Sequence, residues 1–130
     1  MKIIDGEGAI LGRLASYAAK EALKGEEIVI LNCDKVIISG NKKYLQKKIK
    51  EKRSKVGHSQ KGPKYPKTSE KIVKRTIRGM LPDHRFGRGR DAFKRIKCYK
   101  NVPKEFEESK KIKPGKNKPI KFAEIKEIIK

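Results

Sequence analysis

Two histidines and two cysteines are the side chains of this sequence best suited to nucleophilic or acid-base work, and their spacing assembles no site. Nucleophilic catalysis needs a Ser or Cys beside a His that a carboxylate orients. His58 and His84 both fall in stretches crowded with Lys, Arg and Gly, with little apolar sequence to tune them. Their expected role is contact with an anionic partner or with solvent. Cys33 and Cys98 are isolated from each other and from both histidines, a pattern of neither a disulfide framework nor a zinc cluster. Both are expected to be buried thiols. The acids of the central region, Glu51, Glu70, Asp83 and Asp91, are too few for paired carboxylates or a two-metal site. Gly6, Gly8 and Gly12 follow a strand candidate and open a helix, with Asp34 at the end of the next strand, which invites a dinucleotide-binding reading. That fingerprint places its third glycine three residues after the second, and here the step from Gly8 to Gly12 is four. The glycines are read as shaping a tight strand-to-helix turn. No Gly-Lys-Ser or Gly-Lys-Thr phosphate loop occurs. No catalytic residue, metal, cofactor or small-molecule substrate is expected.

The chemistry that remains is cationic. Lys and Arg number 36 against 15 Asp and Glu, a formal charge of +21, which opposes compaction unless a polyanion neutralises it. The charge is concentrated: residues 1–40 carry net −1, residues 41–100 net +18 and residues 101–130 net +4. A heat-adapted surface would match its Lys with Glu, and this chain does not. Tyr44, Tyr65 and Phe86 are interleaved with the cations. Lys and Arg give sequence-independent affinity for phosphates, and aromatic rings stack on unpaired bases. The candidate contacts are Arg13; Lys42, Lys43, Lys47, Lys48, Lys52, Arg53 and Lys55; His58, Lys61, Lys64 and Lys67; Lys71, Lys74, Arg75 and Arg78; His84, Arg85, Arg88 and Arg90; and Lys94, Arg95 and Lys97. No helix-turn-helix, zipper or zinc-finger pattern is present, so an irregular folded RNA suits these basic loops better than DNA. Mean hydropathy is −0.79, no apolar run approaches the roughly 20 residues of a bilayer span, and the first residues lack a secretory signal. A soluble, cytoplasmic protein with no membrane partner is expected.

The elements that must position these residues follow from hydrophobic spacing. Lys2 to Ile4 is a strand candidate. From Leu11 to Lys24 the apolar positions Leu11, Leu14, Ala15, Ala18, Ala19, Ala22 and Leu23 recur at helical spacing, with Gly25 as a left-handed cap. Ile28–Leu31 and Val36–Ile38 are continuous apolar runs suited to strands buried on both faces. Strand, helix, strand is a βαβ unit. Leu31 and Val36 are too close for a parallel crossover, so one of these segments is a bend or a short non-parallel strand. A helix capped by Asn41 runs over 42–55 with a thin stripe of Leu45, Ile49 and Val56, followed by a basic loop at 57–67. Between Thr68 and Leu81 the faces separate: Ile72, Val73, Thr76, Ile77 and Met80 on one side, Lys71, Lys74, Arg75 and Arg78 on the other. An Arg-Gly loop to Arg90, a short helix over 91–95 and a strand at Ile96–Tyr99 complete the body. Phe122, Ile125 and Ile129 stand at helical spacing in the tail.

The chain resembles the L-thirteen family of large-subunit ribosomal proteins, in its archaeal or eukaryotic form. The residues that carry this are Leu11-Gly12-Arg13-Leu14-Ala15, the run Val29 to Asn41, and above all Arg78-Gly79-Met80-Leu81-Pro82 followed by Gly87-Arg88 and Phe93 to Tyr99. The resemblance implies an α/β fold with three α/β/α layers around a small, mostly parallel four-stranded sheet. It also implies large-subunit ribosomal RNA and neighbouring ribosomal proteins as partners, and a place in the ribosome. Residues 1–102 are expected to form one α/β RNA-binding domain, and 103–130 an extension ending in a short amphipathic helix. Two departures stand out: the segment after Gly40-Asn41 is Lys-rich where bacterial members hold Tyr- and His-rich sequence, and the tail beyond Pro103 matches poorly.

Overall fold

The computed structural model describes residues 1–58, 62–114 and 117–129. Strand β1 (Lys2–Asp5), helix α1 (Leu11–Leu23) and strand β2 (Ile28–Leu31) form the βαβ unit, with β1 and β2 parallel and Ile3 opposite Val29. All four residues of β2 are buried, as a central strand covered on both faces requires. On α1 the buried residues include Leu14, Ala15, Ala18, Ala19 and Ala22, and their small side chains let neighbouring helices approach closely. The helix closes on Gly25 (φ +99°), whose N–H donates to the Ala22 carbonyl while the Glu26 N–H reaches the Glu21 carbonyl, a Schellman cap. Gly6 shapes the β1–α1 turn: a Cβ there would stand 2.7 Å from Val36 Cγ2 and 2.8 Å from the Leu31 oxygen. Gly6 is thus a packing device, whereas Gly8 serves the turn through its positive φ (+70°) and a Cβ on Gly12 would meet nothing within 4 Å.

Helix α2 (Lys42–Ser54), helix α3 (Ser69–Met80), helix α4 (Gly87–Lys94) and strand β4 (Ile96–Cys98) follow. Strand β4 pairs parallel with β2, Ile28 opposite Ile96, giving the order β1-β2-β4. The largest apolar cluster joins Ile4, Ile28, Ile30 and Ile96 of the sheet to Leu14 and Ala18 of α1, Ile72, Val73 and Ile77 of α3, and Ala92 of α4. On the opposite face Ile3, Val29 and Leu31 are covered by Tyr99, Val102 and Phe106, the last from a 3-10 turn at Lys104–Phe106.

The α/β class and the mostly parallel sheet are as expected, but the sheet has three parallel strands rather than four, with a separate antiparallel pair. After Leu31 the chain turns through Asn32 (φ 55°) and a 3-10 turn at Cys33–Lys35 into β3 (Ile37–Ser39). A parallel crossover takes about a dozen residues, so β3 leaves the sheet. It pairs antiparallel with β5 (Phe122–Glu124), Ile38 opposite Ala123. The free edge of β1 is met by Ile112, which donates to the Ile3 carbonyl and accepts from the Asp5 N–H, both at 2.9 Å. The tail thereby adds one rung where a fourth strand would lie.

Three local expectations need correction. Val56 is 78 % exposed because α2 stops at Ser54; its apolar stripe is Leu45 and Ile49 alone. Phe122 lies on β5 and not on the last helix. That helix, α5 (Ile125–Ile128), is one turn closed by a capping box between Glu124 and Glu127. It buries Ile125 in the main core and Ile128 against Ile49 of α2. Helix α4 begins at Gly87, inside the Arg-Gly stretch read as loop. Gly and Arg-rich sequence has poor helical propensity, and tertiary packing overrides it. Ala92 is fully buried, and a Cβ on Gly89 would stand 2.5 Å from the carbonyl oxygens of Pro82 and Asp83. Gly89→Ala is therefore expected to lower the thermal midpoint, costing about 1–3 kcal/mol by overpacking; an unchanged melting curve would show that the 82–90 turn is not so closely packed.

One buried carboxylate anchors the start of the fold. The Glu21 side chain is 6 % exposed and receives Lys2 and Lys24, the latter at 2.8 Å. The hydrogen bonds from these two ammonium groups, Lys2 first, lower its pKa from 4.5 to about 2. A carboxylate depressed in the folded state adds stability that is complete above its unfolded pKa and is lost as pH falls toward the folded one. Glu21→Gln is expected to flatten the acid limb of the stability curve between about pH 4.5 and about 2. An acid limb identical to that of the unaltered chain would contradict this.

Candidate nucleic-acid interface

Helix α3 is the spine of the candidate surface. Ile72, Val73 and Ile77 are buried against α1 and β4, which fixes the rotation of the helix and turns Lys71, Lys74, Arg75 and Arg78 outward. Lys71 is exposed, and the other three are half-buried, Lys74 and Arg75 lying along neighbouring rings. Lys74 Nζ stands 4.9 Å from the centre of the Phe93 ring, and the Arg75 guanidinium 5.3 Å from that of Tyr65. Arg75 Nη1 also donates to the Lys64 carbonyl at 2.8 Å. With Lys64 and Pro66 these residues line a shallow depression of about 290 Å³. Cations held by ring faces lose less freedom on meeting an anion, which is preorganisation.

The surface continues on both sides. His84 packs edge-on against Phe93, ring centres 6.1 Å apart, so the loop carrying Arg85 and the first turns of α4 carrying Arg88 and Arg90 adjoin the α3 ridge. All three arginines are exposed. On the other side, Lys52 of α2 lies 5.3 Å from the centre of the same Tyr65 ring that Arg75 meets. Tyr65 thus joins α2 to α3. Lys42, Lys43, Lys47 and Lys48 are exposed on α2, as are Lys55 and His58 just beyond it and Lys64 and Lys67 in the following loop. Lys50 belongs with them: it is exposed and lines a second depression with Lys43, Lys47 and Arg53. Its signal in the sequence was the Lys run itself.

Several candidates face elsewhere or do other work. Arg95 Nη1 donates to the Ala22 carbonyl at 3.2 Å, tying β4 to the end of α1. Arg53 reaches the carbonyls of Ile129 and Pro66 at 3.4 and 3.3 Å, joining α2 to the tail and the 62–67 loop. Lys42 pairs with Glu127 at 3.6 Å. Arg13, on α1, and Lys94 and Lys97, on α4 and β4, are exposed, with no contact that brings them to the α3 ridge among the described residues. Lys61 lies outside the described residues. Arg53 and Arg95 are indistinguishable from surface cations in the sequence, because only the fold places backbone carbonyls within their reach.

The electrostatics separate this surface from the rest of the protein. The ion pairs among the described residues join Met1, Lys2, Lys24, Lys35, Lys42, Lys100 and Lys113 to Glu26, Glu21, Glu7, Glu127, Asp34 and Asp5. Of the basic residues between 41 and 100, only Lys42 and Lys100 take part. Of the acids near the ridge, Asp83 serves the backbone, its Oδ1 accepting from the Arg85 N–H at 2.9 Å. Apart from Lys42, the cations of α2, α3 and α4 enter no ion pair among the described residues, which is the condition for a strong positive field.

The thiols show what the interior does. Cys33 is fully buried and Cys98 half-buried. The neighbouring Cys98 thiol, followed by burial, holds the Cys33 thiol far above its usual range, so it remains protonated and packs as an apolar side chain. Among the described residues no three His, Cys, Asp or Glu side chains converge as metal ligands, and no helix is long and apolar enough to cross a membrane.

Body and surface together define a class: a small α/β protein whose helices α2, α3 and α4 carry a strongly cationic surface. Comparison with known proteins narrows the class to one family. The family model described as ribosomal protein L13 matches residues 1–105. Among curated relatives, the large ribosomal subunit protein uL13 of Methanocaldococcus jannaschii is 49 % identical over 114 residues, covering 85 % of this chain and 82 % of that protein. The protein of the same description from Thermoplasma acidophilum is 46 % identical over 110 residues, covering 85 % and 79 %, and that of Methanosarcina barkeri is 49 % identical over 110 residues, covering 84 % and 77 %. The chain belongs to the ribosomal protein L13 family. The matched region includes β1 through β4 and every helix that carries the candidate surface.

Proposed function

We propose that this chain is a structural, non-catalytic constituent of the large ribosomal subunit in the cytoplasm. It binds and stabilises large-subunit ribosomal RNA through the cations of α2, α3, α4 and the loops between them, contributes to subunit assembly, and abuts neighbouring ribosomal proteins. Residues 1–102 form the RNA-binding domain, and 103–130 an extension that closes the body through β5, α5 and the Ile112 rung. The observation that carries this reading is the set of cations on α3 that enter no ion pair among the described residues, with Lys74 and Arg75 held against Phe93 and Tyr65. Family membership supplies the ribosome, and the surface supplies the mode of contact.

The test is sedimentation. In a low-salt gradient of cell extract the chain is expected to travel with large subunits at about one copy each and to be released by high salt, because phosphate contacts weaken as counterions compete. Recovery only in the free-protein fractions would remove the ribosomal reading. Substoichiometric occupancy would favour a passing RNA chaperone.

A further inference from the structure

Phe86 is 72 % exposed, and it belongs to none of the apolar clusters of the fold. It does not swing on a loose loop. Asp83 closes the turn beneath it, accepting the Arg85 N–H on its side chain and the Phe86 N–H on its carbonyl. The Phe86 carbonyl in turn accepts from the Arg90 N–H, closing the first turn of α4. The turn is locked from below by Gly89, whose Cα packs so tightly on Pro82 and Asp83 that no side chain fits, and the chain reverses at Gly87 (φ +56°). The backbone that carries this apolar ring is therefore fixed, and the ring stands out in water at the edge of the interface, between the exposed Arg85 and Arg88 in sequence.

Resting on the RNA-binding reading, we infer that Phe86 is a base-stacking residue: its ring takes the face of an unpaired nucleotide while Arg85 and Arg88 take the adjoining phosphates. The charge decides the occupant. Exposed arginines flank the ring, and the neighbouring acid Asp83 is engaged with the backbone, so the site matches a segment that brings a flat apolar face together with negative charge. A nucleotide has both. Duplex RNA buries its base faces in the helical stack, and unpaired loops and bulges present them, so this edge of the protein selects irregular RNA over a regular helix. Tyr65 does not compete for the role, because Lys52 and Arg75 already lie against its ring.

The experiment uses the full chain and deproteinised, refolded large-subunit RNA from an organism carrying one of the relatives above. Zero-length ultraviolet cross-linking with mass spectrometry is expected to place a nucleotide on the peptide containing Phe86. Phe86→Ala is expected to weaken binding about five-fold or more, the range for loss of one aromatic–base stack, and to expose one or two unpaired bases to chemical probing while the rest of the footprint persists. Phe86→Trp keeps a ring and is expected to keep both affinity and protection. If Phe86→Ala binds with unchanged affinity and footprint, the stacking inference is wrong and the RNA-binding reading stands. If that variant binds free RNA normally but is lost from assembled subunits, a protein neighbour covers the ring and the inference is equally wrong. If the unaltered chain does not bind this RNA, the RNA-binding reading itself fails and takes the inference with it.

Discussion

Replacing Lys71, Lys74 and Arg78 together by glutamate is expected to lower affinity for large-subunit ribosomal RNA by roughly two to three orders of magnitude at about 0.1 M salt. Each cation that neutralises a phosphate contributes roughly 0.9 to the slope of log affinity against log salt on duplex nucleic acid, and roughly 0.7 on single strands. At about 0.1 M salt that slope amounts to just under a factor of ten per contact, and three contacts multiply. Reversing the charge adds repulsion to the loss. The three side chains lie opposite Ile72, Val73 and Ile77 and take part in no ion pair among the described residues, so the cost to the fold is small and comes from the contact of Lys74 with the Phe93 ring. Arg75 is deliberately spared. Its hydrogen bond to the Lys64 carbonyl and its place over Tyr65 mean that its loss would loosen the 62–67 loop as well as remove a charge. Affinity within three-fold of the unaltered chain, together with an unchanged melting curve, would show that the α3 ridge does not meet the RNA.

The second large effect concerns the tail and stability. Ile125→Ala with Ile128→Ala is expected to destabilise the chain by well over either change alone, since truncating a fully buried Ile to Ala costs about 2–5 kcal/mol at each site. Ile125 is 0 % and Ile128 2 % exposed, and the two enter different clusters, one in the main core and one against Ile49 of α2. The two stand on the same turn of α5, and Ile38 and Tyr65 pack against both clusters, so the two losses are coupled and do not simply sum. A loss of this size is comparable to the whole stability of a small domain, so the double variant should be largely unfolded at 37 °C. A midpoint within a few degrees of the unaltered chain would mean that the body stands without its tail.

These two expectations mark where sequence reasoning reached and where it stopped. The α3 ridge was legible because a helix of fixed period sorts residues onto faces, and the apolar positions of Ser69–Met80 leave one rotation that buries them. The same logic found α1 with its glycine cap, while the strand candidate at Lys2–Ile4 and the buried run Ile28–Leu31 were legible as short apolar segments on either side of it. The tail was legible only as an amphipathic fragment. That Phe122 would pair with Ser39, and Ile112 with β1, depends on contacts between residues some eighty to a hundred positions apart, which no local pattern encodes. Helix α4 was shortened for a related reason: Gly87 to Arg90 read as loop by propensity, and the packing of Gly89 on Pro82 overrides it.

The candidate surface divides the same way. Charge and its concentration in residues 41–100 singled out the segments that carry the exposed cations of α2, α3 and α4, because net charge is a property of composition. The sorting of those cations was hidden. Arg53 and Arg95 are structural because backbone carbonyls happen to lie beside them. Lys74 and Arg75 are preorganised because Phe93 and Tyr65 arrive from other segments. Among the three aromatics read as interleaved with the cations, burial distinguishes Tyr65, which positions its neighbours, from Phe86, which stands free.

The salt dependence of binding tests the central claim most directly. Affinity of the unaltered chain for deproteinised large-subunit RNA, measured between about 50 and 200 mM monovalent salt, is expected to fall linearly on a log-log plot, with a slope corresponding to several neutralised phosphates at roughly 0.7 to 0.9 each. The Lys71, Lys74 and Arg78 variant should show that slope reduced by about two to three. A flat profile over the same range would contradict binding through uncompensated cations.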